Sequence, residues 1–355
     1  MIRRFAVLTL LASATAFAQE SPIAAGGFES VAVSVDGQAL VWGKFGGLVP
    51  TEVTGLENVT AVAAGQTHVL ALRKDGTVWA WGQNRSGQLG DGSGVDRDRP
   101  VKVMNMTGVV DIAAGSFQSY ALKNDGTIWA WGDNRNGQLG DGTQIDRRSP
   151  VLVEGFTNIR AIAAGTSHLI ALRSDGNVCT WGYSTEDKIG RAIPTIAPTC
   201  LSGFSDVIDI AAGGHASYGL KRDGTVTVFG TTACDAPIDP MASLGPLIDR
   251  VKAIAAGTNH FLALRDDGSV WACGANLSGQ LGYGGAETQK RPIQVSGGLF
   301  NVVSIAAGFR HSLARDQSGA VWAWGDNEFG QLGTGDRAPR TIPTPVWDGT
   351  GRLRQ

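Results

Sequence analysis

Four histidines recur at one register. His68, His168, His260 and His311 each stand three residues after an Ala-Ala-Gly triplet. Imidazoles can ligate zinc or carry protons, but either use needs several groups within reach of one atom. Glu29, Gln118 and Ala216 hold the same register in the remaining copies, and His215 falls one residue out of it. One such residue per repeat spreads the set around the molecule, so no metal or cofactor site is expected. The ring nitrogens should instead hydrogen-bond nearby backbone within each repeat, because buried polar groups need partners.

Cysteine chemistry is the second candidate. "GNVCTWG" (176–182) stands where neighbouring copies read "GTVWAWG" (76–82) and "GTIWAWG" (126–132). The four cysteines, Cys179, Cys200, Cys234 and Cys273, allow three pairings. Cys179 falls in the third strand of its repeat. Cys200 follows Pro198 in the fourth strand, which pairs with the third. A Cys179–Cys200 bridge within one repeat is expected, with Cys234–Cys273 joining adjacent repeats. The alternative is four buried thiols acting as small hydrophobes.

Charged tips are the third. "DRDRP" (96–100), "DRRSP" (146–150), "QKRP" (289–292) and "DRAPR" (336–340) occupy equivalent loops. Arg97, Arg99, Arg147, Arg148, Lys290, Arg291 and Arg337 are the candidate binding residues, since arginine is favoured at interface hot spots. The alternative is a solvated rim of mixed sign. The "GQLGDG" loops (87–92, 137–142) offer one aspartate each, and Tyr283 and Thr334 replace it in two further copies. A calcium loop needs several oxygen ligands, so a structural turn is expected. No phosphate loop, nucleophile elbow or zinc-protease helix appears. Paired tryptophan positions, such as Trp79 and Trp81, could form a sugar platform, but their recurrence fits packing between repeats.

These residues must be positioned by a repeated element. Ala-Ala-Gly occurs seven times, with glycines at 26, 65, 115, 165, 213, 257 and 308. Ten residues on comes Asp-Gly (Ser318-Gly in the last copy), and seventeen on another glycine. Asp-Gly between apolar runs predicts a hairpin with a type I′ turn. "NVTAVAAG" (58–65), "HVLALR" (68–73) and "TVWAWG" (77–82) read as three strands. A fourth, outer strand starts near Pro50, Pro100, Pro150, Pro198, Pro292 and Pro343, since proline suits a sheet edge. Four strands taken seven times predict an all-β, seven-bladed propeller. "SPIAAG" (21–26) reads as the inner strand missing after the last copy, so the N- and C-terminal segments are expected to share one blade and close the ring.

The first residues, "MIRRFAVLTLLASATAFAQE", read as an export signal: a basic start, a short apolar run and an Ala-Phe-Ala cleavage site. Residues 1–18 are the expected signal and 19–355 the propeller. Without Arg3 and Arg4 the chain holds 28 basic and 32 acidic residues, a net of −4. That balance gives no electrostatic footprint for nucleic acid and, with no second long apolar run, no membrane insertion after the signal is removed.

"VAAGQTHVLALRKDGTVWAWGQNRSGQLGDG" (62–92) resembles the regulator of chromosome condensation repeat, also found in alpha-tubulin-suppressor-like proteins. The resemblance runs along nearly all of residues 19–355 and implies a seven-bladed propeller. "GQLG" recurs at 87–90, 137–140, 279–282 and 330–333, "DKIG" stands at 187–190, and copy one shortens to "KFGGL" (44–48). The family founder is a nuclear exchange factor for a small GTPase and binds chromatin. No segment here matches its exchange-promoting wedge, so no exchange residues are carried over. A closer analogy is a secreted bacterial propeller of similar repeat type that covers β-lactamases with one loop face. The expectation is a secreted or periplasmic, monomeric, non-catalytic propeller that binds a protein partner through variable loops. A lyase or hydrolase site at the channel mouth and a sugar-binding lectin are the alternatives.

Overall fold

The computed structural model describes residues 22–183, 195–201, 205–230, 234 and 248–347. The expected signal (1–18) and "DKIG" (187–190) lie outside the described residues. The chain forms seven antiparallel sheets; six have four strands, and blade five has three among the described residues. The all-β, seven-bladed propeller is therefore as expected, and no helix occurs among the described residues.

Blade two shows the plan. Its strands are Val59–Ala64, His68–Arg73, Val78–Gly82 and Arg97–Lys102, in that order from the channel to the rim. The second strand is buried along almost its whole length, because a neighbouring blade covers each of its faces. It accordingly reads as a near-continuous apolar run. The outer strand is largely exposed. In all six outer strands among the described residues the proline is the fourth residue, as in Arg97–Lys102 and Arg147–Leu152, so each strand begins three residues earlier than expected.

Two local expectations are corrected. The Asp-Gly hairpins are not type I′ turns. Gly76 has φ +74°, whereas Asp75 is not left-handed. Gly76 N donates to Arg73 O at 2.9 Å and Arg73 N to Thr77 O at 3.0 Å, giving a three-residue loop with a glycine bulge. Asp75 Oδ1 accepts from Thr77 N and Thr77 Oγ1, which holds the aspartate in an ordinary turn conformation.

Nor do the two ends share a blade. "SPIAAG" supplies the inner strand of blade one (Ile23–Ala25), which pairs with Glu29–Val33 directly after it. Blade seven is complete in itself, from Val302–Ala307 to Arg340–Pro345. Each second strand needs an inner strand for its backbone donors, and every repeat provides its own. The ring closes by packing. Ile23, Ala32, Leu40 and Trp42 of blade one share a core with Leu313, Val321, Ala323 and Leu332 of blade seven.

Candidate interaction face

The antiparallel order puts the turn after each inner strand and the long loop before each outer strand on one face. The Asp-Gly turns lie on the other. The histidines sit at the edge of the long-loop face, and their partners are not the expected backbone groups. His68 Nε2 lies 2.8 Å from Ser119 Oγ of the next blade. His168 meets Ser217 at 2.9 Å, His260 meets Ser312 at 2.9 Å, and His311 meets Ser30 at 2.8 Å. Ser119, Ser312 and Ser30 each donate onward, at 2.8 Å, to the carbonyl of Gln88, Gln280 and Gln331 in a "GQLG" loop. A hydroxyl has one hydrogen, so in these three pairs the imidazole Nε2–H is the donor. Burial holds these imidazoles neutral, with pKa values lowered to about 3 for His68 and His311 and about 4 for His168 and His260.

The pairing follows the sequence across every seam. The four histidines face Ser119, Ser217, Ser312 and Ser30; Glu29, Gln118 and Ala216 face the equivalent Val69, Leu169 and Phe261. This covariation between successive repeats was legible in the sequence. The anchor glycine belongs to the same device: a Cβ on Gly65 would lie 2.3 Å from His68 Cε1 and 2.5 Å from Gly115 O.

Seams without histidine are held differently. Gln118 Nε2 donates to Gly165 O and Thr166 O at 3.2 and 3.0 Å. Between blades five and six, Tyr218 stacks on Phe261 at 4.5 Å, and the Cys234–Cys273 disulfide ties the Cys273 strand to the segment that follows blade five. The second disulfide, Cys179–Cys200, joins directly opposed residues of the third and outer strands of blade four. Both pairings are as expected. Glu29 is fully buried, and burial raises its carboxyl well above the usual range.

The long loops are built from their own side chains. Asn84 Oδ1 accepts from Leu89 N at 2.9 Å, and its Nδ2 donates to Asp91 at 3.0 Å. Asp91 also accepts from Ser93 N, Ser93 Oγ and Arg97. Asn134, Asp141, Thr143 and Arg147 repeat the arrangement in blade three. Each loop then reaches the next blade: Gly92 N donates to Arg148 O at 3.0 Å, and Trp131 Nε1 donates to Gln88 O at 2.9 Å. The "GQLGDG" loop is the structural turn expected, and Asn84 at its start is the organising residue that sequence reading missed. Its signal was the recurrence of Asn84, Asn134, Asn276 and Asn327 three residues before "GQLG".

The candidate cations divide into two sets. Arg97 and Arg147 are half-buried and paired with Asp91 and Asp141 at 3.0 and 2.7 Å. Arg99, Arg148, Lys290, Arg291 and Arg337 are exposed. They come from blades two, three, six and seven, an arc centred on blade one. Exposed apolar tips join them: Val95 at 58%, Ile145 at 62% and Leu277 at 87%.

The channel mouth is lined by the Ala-Ala-Gly triplets and by Gln66, Ser116, Thr166, Thr258 and Phe309, around about 400 Å³ of open space. Its lining contains neither carboxylate nor histidine. Asp111 accepts from Ile112 N at 2.9 Å and from Ile162 N of blade four at 3.3 Å. Burial, with a smaller push from Asp209, raises its pKa to about 7. The second tryptophans, such as Trp42, Trp131 and Trp324, are buried between blades, and the exposed aromatics Phe300 and Trp347 do not recur. Among the described residues no helix is long and apolar enough to cross a membrane.

Comparison with known proteins agrees with this geometry. Residues 11–235 match the RCC1-like domain, and 251–280 and 302–331 match the regulator of chromosome condensation (RCC1) repeat. Protein RCC2 of Homo sapiens is 36% identical over 100 residues, 27% of this chain and 19% of that protein. The ultraviolet-B receptor UVR8 of Arabidopsis thaliana is 37% identical over 97 residues, 26% of this chain and 21% of that protein. The matches thus span about a fifth of those relatives. Among solved structures, that of Kap60 bound to yeast RCC1 (Prp20) superposes with a TM-score of 0.78 at 24% identity, covering 98% of this chain and 91% of the other. Human WBSCR16 gives a TM-score of 0.75 at 22% identity, covering 85% and 84%. Seven blades, their clasped loops and a family match over most of the length lead to one conclusion: this chain belongs to the RCC1-like domain family.

Proposed function

We propose that this chain is an exported, non-catalytic member of its family that binds a protein partner through the long-loop face. One observation carries the reading. The loops of blades two and three are fixed internally by Asn84–Asp91–Arg97 and Asn134–Asp141–Arg147, while Val95, Ile145, Arg99 and Arg148 stand exposed. A rigid loop loses little entropy when its tip is covered, so such a surface suits protein recognition. Named relatives support an interaction role: solved structures describe yeast RCC1 (Prp20) with Kap60, and Prp20p binding to Gsp1p and histones. Two disulfides support an oxidising compartment. The channel lining gives no observation in favour of an enzyme site, and the exposed aromatics give none in favour of a lectin.

The test is a pull-down from the producing organism's exported proteins with this chain as bait. A stoichiometric partner is expected, and Arg99→Glu/Arg148→Glu/Arg291→Glu/Arg337→Glu should release it. Absence of any partner overturns the reading. Retention by the quadruple variant removes the cationic arc from it.

A further inference from the structure

One corner of the long-loop face departs from the repeat. Phe309 stands where other blades carry Gly27, Gln66, Ser116, Thr166, Gly214 and Thr258. Phe329 stands where the other long loops carry Ser86, Asn136 and Ser278. At the position of Phe28 the other blades carry Thr67, Phe117, Ser167, His215, Asn259 and Arg310. The other blades close with small or polar residues at the first two positions, and only blade three has a second phenylalanine at the third, so the scaffold does not demand three rings together. All three meet at the seam of blades seven and one. Phe28 lies 4.9 Å from Phe329 and 6.2 Å from Phe309, ring centre to ring centre. All three are only half-buried.

Two exposed cations stand over this cluster. Lys44 Nζ lies 5.4 Å from the Phe28 ring and 5.9 Å from Phe45, and the Arg310 guanidinium lies 5.4 Å from Phe309. Among the described residues neither forms an ion pair with a carboxylate; Asp326 and Glu328 of the neighbouring loop do not reach them. Glu29, which feels the charge of Lys44, is fully buried, and burial raises its carboxyl well above the usual range. Cations held over rings keep their charge on offer while the aromatic faces supply apolar contact. Blade one also carries only the short connection Lys44-Phe45-Gly46, so it adds no long loop of its own to this corner.

We infer that Phe28, Phe309 and Phe329, with Lys44 and Arg310, form a docking site for an acidic segment of a partner protein that carries one aromatic side chain. The ring of that segment packs against Phe28 and Phe309, and its carboxylates pair with Lys44 and Arg310. Two cations on a chain of net charge −2 fit a short acidic peptide better than a polyanion. The inference rests on the proposed use of the long-loop face but not on its rim arginines.

The test is selection of a random peptide display library on the full chain, followed by binding measurements on the enriched peptides. Enrichment of an aromatic flanked by Asp or Glu is expected. Lys44→Glu/Arg310→Glu should weaken those peptides at least tenfold, and Phe309→Ser, which restores the residue class of the other blades, should do likewise. The thermal melt of Lys44→Glu/Arg310→Glu should match the parent, since both cations are exposed. Peptides without acidic bias, an empty selection, or binding unaffected by these variants would overturn the inference. Loss with Arg99→Glu/Arg148→Glu instead would overturn it while leaving the proposed function intact. Tighter binding of a single-stranded oligonucleotide at the same residues would replace the peptide with a nucleic acid.

Discussion

His311 of the last blade donates through Nε2 to Ser30 Oγ of the first, at 2.8 Å, across 281 residues of sequence. Ser30 Oγ–H in turn donates to Gln331 O, and Trp42 Nε1 donates to the same carbonyl at 2.9 Å. This closure repeats, residue for residue, the clasp that joins blade two to blade three through His68, Ser119, Gln88 and Trp131. The ring thus closes with the same chemistry that builds it.

Ser30→Ala should cost about 1–3 kcal/mol, because it strands a buried imidazole N–H. His311→Leu/Ser30→Val imitates the seams where an apolar residue replaces the serine and should recover part of that loss. Urea denaturation of both variants and the parent measures this. A double variant less stable than Ser30→Ala would show that the hydrogen bond itself, not polar satisfaction, holds the seam.

Stability should fall as pH drops from 6.5 towards 5. The clasp histidines are neutral when folded and take up protons when unfolded, so acid favours unfolding. Glu29 and Asp111 act in the opposite sense: their raised pKa values stabilise the fold at low pH, and that contribution is lost as pH rises. Four protons taken up against two released leave a slope of about 3 kcal/mol per pH unit at most. Urea midpoints at pH 5, 5.75 and 6.5 check it. An unchanged midpoint would contradict neutral buried imidazoles.

Gly65→Ala should be among the most harmful glycine substitutions. Its Cβ would lie within 2.5 Å of both His68 and backbone, and overpacking of this kind costs about 1–3 kcal/mol or more. Gly142→Ala meets nothing within 4 Å and pays only for its φ of +77°, about 1 kcal/mol. Melting temperatures of the pair should separate accordingly.

Removing the bridges should destabilise the fold unequally. The loops closed by Cys179–Cys200 and Cys234–Cys273 span 21 and 39 residues. Loop-closure entropy assigns about 3 and 4 kcal/mol to them. Cys234→Ser/Cys273→Ala should be the worse loss, since that blade seam has no histidine clasp. Thiol titration of the denatured, unreduced protein should find no free cysteine.

The sequence by itself determined the blade. Ala-Ala-Gly and the closing glycine recur without insertion in every copy, Asp-Gly in all but the last, and strand periodicity is a local property. It also pointed to a Cys179–Cys200 bridge, because the two fall in neighbouring strands of one repeat, while the structure placed them directly opposite and paired Cys234 with Cys273. The His–Ser partners were present too, but as a correlation between repeats rather than within one. Tertiary structure alone decided which blade each terminus joins, since "SPIAAG" fits the inner position of any blade until its pairing is known. It alone separated Arg97, paired within its loop, from Arg99, which is exposed, because both stand in one charged run. It alone gathered Phe28, Phe309 and Phe329, because ring closure brings the two ends of the chain to one corner.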